Sequence, residues 1–240
     1  MPRAEHPRPM ESILPFTGAD GCKRGWIFVY QSDDKLDVMI ATTVREALNR
    51  LPSETVLAID IPIGLPNSGD RPCCRQARTL VQARRSSVFP VPVRACLDAR
   101  THDEAKEIHY RTDGRKISAQ SFAILPKIRE VDELMRSDHS LRRRIYEMHP
   151  EVSFCRWKGE PMEYAKKEAP GYHEREALID PVWPGERVRL WDKIRGRARR
   201  HDVNDTFAAL WTAARITKGA SVQLVSPEPD QEGLLMRIVS

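Results

Sequence analysis

Two aspartates at the ends of predicted strands are the side chains of this sequence best placed to do chemistry. Asp20 stands in a Gly-Ala-Asp-Gly turn between two strand-like segments, and Asp60 follows the apolar run Val56–Ile59. Such a run is typical of a central strand covered on both faces, where a carboxylate is unfavourable unless a positive charge compensates it. The two acids therefore indicate a bound metal ion.

A second pair of aspartates, Asp202 and Asp205, lies at the start of a predicted helix, in the segment His-Asp-Val-Asn-Asp-Thr. Residues three apart share one face of a helix, so both carboxylates point the same way. A structural role is also open, because Asp202 is suited to cap the helix and Asp205 to complement its dipole. The two roles are compatible.

Glu147 lies near the end of a further predicted strand, on the same face as His149. Each acid alone has a structural explanation: a turn residue for Asp20, a loop cap for Asp60 and the polar side of a half-exposed strand for Glu147. All three acids lie at or near the ends of predicted strands, and this shared position favours a functional role over separate structural ones. Ligands bind at the carboxyl ends of strands in open α/β sheets. The predicted catalytic carboxylates are Asp20, Asp60, Glu147, Asp202 and Asp205.

Carboxylates that converge without a cation repel one another and raise each other's pKa, so this set implies bound cations or protonation. Ligands that are all oxygen favour Mg²⁺ or Mn²⁺ over zinc. Two such ions, about 3.5–4 Å apart, would activate a water and stabilise the leaving oxygen of a displacement at phosphorus. The prediction is a two-metal phosphodiester hydrolase, with Asp20, Asp60 and Asp205 as metal ligands.

Basic residues are concentrated in three arginine-rich runs, although the net charge is only +5 and the pI about 9.0. The runs lie within 71–94, 142–144 and 187–200, and the first contains no acidic residue. One such run is usually a solvated surface, but three of them favour a polyanionic partner, whose phosphates suit the planar arginine side chain. The predicted substrate-binding residues are Lys23, Arg24, Arg75, Arg78, Arg84 and Arg94.

The elements that must position these residues form a mixed α/β sheet. Strand composition at 16–19, 26–31 and 36–41 is followed by a short helix at 43–51 and a buried strand at 56–60. The rest of the chain predicts a helix at 72–82, an extended segment at 86–94, helices at 101–110 and 118–136 with a kink at Pro126, a strand at 143–148, a helix from about Asp202, and a hairpin of 222–225 with 234–239.

Composition bounds the class of protein. The 240 residues are 40% hydrophobic, enough for an ordinary core, and no apolar stretch is long enough to span a bilayer. Five cysteines without a C-x-x-C pair favour neither a disulfide framework nor a zinc ribbon, and fit a reducing cytoplasm. We expect a loose tail over 1–12 and a single domain over 13–240, with insertions at about 100–140 and 160–185.

Six segments in order carry a resemblance to a known family. They are Gly18–Trp26, Ala58–Pro66, Arg71–Arg78, Ser86–Arg94, Tyr146–Glu151 and His201–Thr206. In these segments the sequence resembles an uncharacterised domain-of-unknown-function family of predicted RNase H-like nucleases, related to the RuvC resolvases. Two positions depart from the pattern: Asp60 stands where RuvC-type enzymes more often have Glu, and Arg75 replaces the usual acid.

The resemblance implies a ribonuclease H-like fold, with a five-stranded sheet of order 3-2-1-4-5 in which only the second strand is antiparallel. It also implies that Asp20 is the first-strand metal ligand, that Asp60 is the fourth-strand acid, and that Asp205 with Asp202 supplies the carboxylates of the last helix. The implied partner is DNA or RNA.

Two other functions remain open from the sequence. A nucleic-acid-binding module of the same fold could lack turnover, and metal binding would discriminate it from a nuclease. An ATP-dependent phosphotransferase of the actin or sugar-kinase type also begins with an aspartate-glycine hairpin, but it needs glycine-rich phosphate loops, and the 12 glycines here include no Gly-Gly and no G-x-G. The choice of DNA or RNA and the oligomeric state are left undetermined.

Overall fold

A five-stranded mixed sheet forms the centre of the protein, seen in a computed structural model that describes residues 14–32 and 35–240. Its strands are β1 Phe16–Cys22, β2 Gly25–Ser32, β3 Lys35–Ala41, β4 Val56–Ile59 and β5 Ile145–Glu147. Their order is β3-β2-β1-β4-β5, and only β2 is antiparallel. This confirms the sheet that the resemblance implies; the predicted tail lies outside the described residues.

Helices cover both faces of this sheet. They are α1 Val44–Leu48, α2 Pro72–Val81, α3 His102–Asp113, α4 Ala119–Ala123, α5 Leu125–Ser137, α6 Pro150–Lys158, α7 Ala169–Ile179, α8 Glu186–Ile194 and α9 Arg200–Thr217. A separate hairpin pairs β6 Gln223–Val225 with β7 Arg237–Val239, as predicted. No helix within 14–32 and 35–240 is long and apolar enough to cross a bilayer.

Alternation along β2 explains the two layers. Trp26 and Phe28 pack with α1, α2 and α5 on one face, whereas Ile27 and Val29 pack with α7, α8 and α9 on the other. Because successive side chains of a strand point to opposite faces, a strand that is apolar at every position is buried on both. The central strands therefore end in a region enclosed by helices from both layers.

Gly18 lets α9 lie directly against β1. A β-carbon at Gly18 would overlap the backbone of Thr206 and Leu210. Only glycine permits this approach, because any other side chain would push the helix away from the strand. The contact sets Asp205, on the first turns of α9, beside Asp20 two residues further along β1.

Two predicted segments differ from the structure, and α6, α7 and α8 form where no helix was predicted. The segment 86–94 is extended only in its middle, since 3₁₀ turns cover Gln82–Ser87 and Arg94–Asp98; prolines exclude the α-helix but not these short turns around them. The kinked helix at 118–136 is instead α4 and α5, because Pro126 lies in the first turn of α5, where a missing N–H costs nothing.

Candidate active site

A cleft of about 440 Å³ opens where β1, β4 and β5 end. Asp20 and Asp60 both line it, the first within β1 and the second directly after β4. Asp20 is 8% exposed, and its Oδ1 accepts a hydrogen bond of 2.6 Å from the amide of Gly21. The structure therefore brings together the two acids with which the sequence analysis began.

Asp205 reaches the same place from α9. Its side chain is fully buried, and one carboxylate oxygen, Oδ2, accepts a hydrogen bond from Nζ of Lys166. The other oxygen, Oδ1, is buried and has no hydrogen-bond partner among the described residues. An ionised oxygen in this position is costly unless a cation or a proton joins it.

Glu151 is a further acid of this site, and the sequence analysis did not single it out. It lies in the first turn of α6 and is 3% exposed; Oε1 accepts a hydrogen bond of 2.5 Å from Arg175. Its other oxygen, Oε2, is buried without a partner in the described part of the chain. We call Asp20, Asp60, Glu151 and Asp205 the carboxylate cluster.

The acids of the carboxylate cluster act on one another electrostatically. Burial raises the pKa of Asp20 well above its usual value, and Asp60 and Asp205 raise it further. Burial also raises the pKa of Asp60, to about 7, with Asp205 and Glu151 adding to the shift and Lys166 opposing it. Such mutual shifts require close approach, and they are characteristic of functional sites.

Lys166 is the resident positive charge of the carboxylate cluster, and it too was missed from sequence, because it lies within the predicted insertion at 160–185. It lines the cleft from the loop between α6 and α7. Although burial disfavours its charge, Asp205, Asp20 and Asp60 raise the pKa of Lys166 overall. The lysine is therefore ionised and offsets part of the negative charge.

Glu147 and Asp202, both predicted as catalytic, are engaged in other contacts. Glu147 lines the cleft, but its Oε2 accepts hydrogen bonds of 2.6 Å from Arg71 and 2.7 Å from the amide of Ile63; burial raises its pKa to about 8 although Arg71 opposes the shift. The prediction that Asp202 is the N-cap is wrong: α9 begins two residues earlier, Arg199 is the N-cap, and Asp202 is the third helical residue, whose carboxylate accepts a capping-box hydrogen bond of 2.9 Å from the amide of Arg199. Burial raises the pKa of Asp202 as well, and its charge acts on Asp20.

Of the predicted substrate-binding residues, Arg84 alone lines this cleft. Arg94 is a correction: it is buried, and its guanidinium pairs with Asp132 at 2.8 Å and with Asp230, so it is not available to a substrate. Basic residues along a sequence do not reveal whether acids elsewhere in the chain neutralise them.

The other predicted cations lie outside the cleft. Arg75 donates to the carbonyl of Asp70 at 2.6 Å, and Arg78 pairs with the carboxylate of Asp70 at 3.1 Å. Lys23 and Arg24 are exposed in the turn between β1 and β2. These residues are placed to extend a basic surface rather than to contact a group inside the cleft.

Two further residues complete the walls of the cleft. Lys127 lines it and donates to the carbonyl of Gly25 at 2.6 Å, while its ammonium lies 4.5 Å from the ring centre of Trp26. His149 is neutral at physiological pH, because burial lowers its pKa to about 4, and its Nδ1 has no partner among the described residues. Its Nε2 lies 3.3 Å from the carbonyl oxygen of Ser87 and donates to it, so Nδ1 of the neutral ring is a hydrogen-bond acceptor.

The donor set of the carboxylate cluster fits a hard divalent cation. All the available atoms are carboxylate oxygens, and two of them, on Asp205 and Glu151, are buried without a partner among the described residues. With the side chains as they stand, no three His, Cys, Asp or Glu residues of 14–32 and 35–240 are grouped to hold a metal ion. Ligation therefore requires the carboxylates to rotate toward the ion.

The chain belongs to the family described as Protein of unknown function (DUF429), whose model matches residues 18–231. This confirms the resemblance to a domain-of-unknown-function family, while the relation to RNase H-like nucleases stays a prediction. No curated protein and no solved structure matches the chain.

Proposed function

We propose that this protein is a metal-dependent nuclease that hydrolyses phosphodiester bonds of nucleic acid with Mg²⁺ or Mn²⁺. The observation that carries the proposal is the convergence of three acids from two strands and a helix: Asp20 and Asp60 line one cleft, and the buried Asp205 lies close enough to act on the charges of both. Acids that converge in this way, with the pKa values of Asp20 and Asp60 raised, are suited to bind a divalent cation.

The sheet order supports this choice among metal-dependent enzymes. The order β3-β2-β1-β4-β5 with an antiparallel β2 is the one implied by the resemblance to RNase H-like nucleases. Asp20 on β1, Asp60 after β4 and Asp205 on α9 occupy the positions that the resemblance assigns to metal ligands. Fold alone does not determine activity, so the cluster and not the sheet carries the argument.

Asp20, Asp60 and Asp205 would hold the metal ion, which supplies a Lewis acid and an activated water when it is bound. The chain's own residues have separate tasks. Arg84 and Lys127 line the cleft together with Asp20 and Asp60, and they attract the phosphates of the substrate. His149 presents the Nδ1 of a neutral imidazole, which is able to accept a hydrogen bond from the attacking water.

A nucleic-acid-binding protein without turnover is the second candidate. The observation that favours it is the ion pair of Lys166 with Asp205, which places a positive charge inside the carboxylate cluster without any metal. A protein of this kind would use the basic surface for binding and the lysine for stability. The two candidates differ in whether the acids are required for cleavage.

The deciding experiment incubates labelled single-stranded and double-stranded DNA, RNA and hybrid with the protein in Mg²⁺, Mn²⁺ or EDTA. We expect metal-dependent cleavage of at least one substrate, its loss in EDTA and its loss in Asp20→Asn. Asp103→Asn, on the exposed surface of α3, is the matched control and should cleave normally. Binding without cleavage in either metal would favour the second candidate, and neither binding nor cleavage would exclude both.

A further inference from the structure

Lys166 is held in the carboxylate cluster by the architecture of its loop. Arg175, which is 1% exposed, donates to the carbonyl of Tyr164 at 3.2 Å and to Oε1 of Glu151 at 2.5 Å. Glu174 accepts hydrogen bonds from the amides of Glu163 at 2.8 Å and Tyr164 at 3.1 Å. The lysine is therefore positioned by a fixed loop that is tied to an acid of the same site.

A glycine contact fixes the same loop on its other side. A β-carbon at Gly171 would overlap the carbonyl of Ala165, the residue before Lys166, so α7 and the loop approach as closely as backbones allow. The next residue, Lys167, also lines the cleft but is exposed. Of these two neighbouring lysines, Lys166 makes the contact with Asp205.

We propose that Lys166 takes the place of a second metal ion, so that the carboxylate cluster binds one divalent cation per chain. The inference rests on the proposed function and changes its stoichiometry, since the sequence predicts two ions. Lys166 remains at the site when the metal binds, and its ammonium neutralises one carboxylate while the metal ion neutralises the others.

Charge balance supports a single ion. Asp20, Asp60 and Asp205 carry three negative charges when they are ionised, and the ammonium of Lys166, which pairs with Asp205, offsets one of them. The two charges that remain equal those of one divalent cation, whereas two such ions would leave the site with a positive charge of two. Glu151 does not alter this balance, because its charge is matched by Arg175.

The test is a titration with Mn²⁺, followed by calorimetry and by the electron paramagnetic resonance of free Mn²⁺. We expect wild type to bind one ion per chain. Lys166→Met removes the charge but keeps an apolar stem, so this variant should bind a second ion and hold the first about tenfold or more tightly. Lys167→Met is the matched control from the same loop and should bind one ion with wild-type affinity.

Lys166→Arg keeps the positive charge and should also bind one ion, which separates an effect of charge from a disturbance of the loop. Circular dichroism melting without metal establishes that each variant is folded. Because the wild-type stoichiometry needs no variant, the proposal remains testable even if Lys166→Met does not fold.

The outcomes separate this inference from the proposed function. Two ions bound by wild type, or a Lys166→Met variant that binds one ion with unchanged affinity, would overturn the role of Lys166 and leave the nuclease proposal standing. No Mn²⁺ bound by wild type or any variant, together with no metal-dependent cleavage, would overturn both.

Discussion

The protein contains two kinds of buried charged region, and they differ in what is left unpaired. In the first kind, which we call the arginine pairs, Arg71 bonds Glu147, and Arg94 bonds Asp132 and Asp230. The buried atoms without a partner there, among the described residues, are guanidinium nitrogens of Arg71 and Arg94. The arginine pairs have surplus donors.

The carboxylate cluster has the opposite surplus. Its buried atoms that lack a partner in the described chain are acceptors, Oδ1 of Asp205 and Oε2 of Glu151. Three of its acids face the single ammonium of Lys166, whereas Glu147 has Arg71 to itself. Only a region with surplus acceptors has something to offer a cation.

This difference shows that burial of acids does not by itself identify a site. Glu147 and Glu151 are four residues apart, both are buried, and both bond a buried arginine. They differ because Glu151 also raises the pKa of Asp60, an acid of the carboxylate cluster. A structural ion pair balances its charges, and a ligand site leaves a deficit that the ligand fills.

The largest effect is expected from Asp205→Asn, which removes a charge from the carboxylate cluster at constant size. If Asp205 holds the metal, hydrolysis should fall by about a thousandfold or more, because a ligand and part of the transition-state stabilisation are lost. The measurement is cleavage of a labelled substrate in Mg²⁺, with melting in EDTA as the control for folding. Full cleavage would assign Asp205 to the helix alone.

Glu147→Gln tests the arginine pairs. At pH 9, where Glu147 is ionised although burial raises its pKa to about 8, the amide leaves the Arg71 charge buried without a counter-ion, so the free energy of unfolding should fall by about 3 kcal/mol. Urea denaturation measures it, and Glu54→Gln, on the exposed surface, is the control and should change little. If the urea midpoint of Glu147→Gln equals that of wild type, Glu147 does not neutralise Arg71 as their contact indicates.

Asp60→Asn should raise the free energy of unfolding, whereas Glu147→Gln lowers it. The pKa of Asp60 rises from 3.8 to about 7 on folding, so the folded state retains a proton that the unfolded state loses, and wild-type stability without metal falls as pH rises from about 4 to 7. Asparagine does not titrate, so the stability of Asp60→Asn does not fall in this way. In EDTA at pH 8 the Asp60→Asn variant should be more stable than wild type by roughly 1 kcal/mol. This is less than the free energy that corresponds to the full pKa shift, because Asp60 is only half-buried and solvent screens its charge.

Melting curves of wild type and Asp60→Asn at pH 4, 6 and 8 in EDTA provide the check. The two proteins should be nearly equal at pH 4 and diverge as the pH rises. In Mg²⁺ the order should reverse at pH 8, because a bound ion stabilises wild type. If Asp60→Asn is less stable than wild type in EDTA at pH 8, the carboxylate cluster does not have the surplus of negative charge that we infer.

The smallest effect is expected on the salt dependence of nucleic-acid binding, where a cation inside the cleft is compared with one outside it. Arg84→Ala should lower the slope of log affinity against log salt concentration for nucleic acid by about 1, because one phosphate contact is lost. Arg75→Ala, which removes the contact with Asp70 and does not line the cleft, should leave the slope unchanged. Fluorescence anisotropy over a salt series measures both, and equal slopes in the two variants would remove the distinction.

The sequence predicts most of the fold, because local patterns set local structure. The strand composition of 26–31 and the apolar run Val56–Ile59 place β2 and β4 correctly, and Thr43 caps α1 as predicted. Errors arise where neighbouring residues allow two short structures, as at Gln82–Ser87, where a 3₁₀ turn forms ahead of the prolines. Three helices, α6, α7 and α8, were not predicted.

The sequence also predicts the acids at the heart of the site. Asp20 and Asp60 stand out because an acid at the end of an apolar strand is unfavourable without compensation, and that rule needs no knowledge of tertiary structure. Glu147 has the same local signature, yet it pairs with Arg71, 76 residues away in the chain. The signature identifies acids that need a partner and does not say which partner they find.

By itself, then, the sequence determined the strands, most of the helices, and the aspartates that require compensation. The tertiary structure alone decided which charges balance: it buried Arg94 between Asp132 and Asp230, brought Lys166 to Asp205, and added Glu151 to the cluster. The physical reason is the range of the interactions. Strand and helix patterns depend on neighbours a few residues apart, whereas an ion pair depends on distance in space, which the packing of the helices on the sheet fixes.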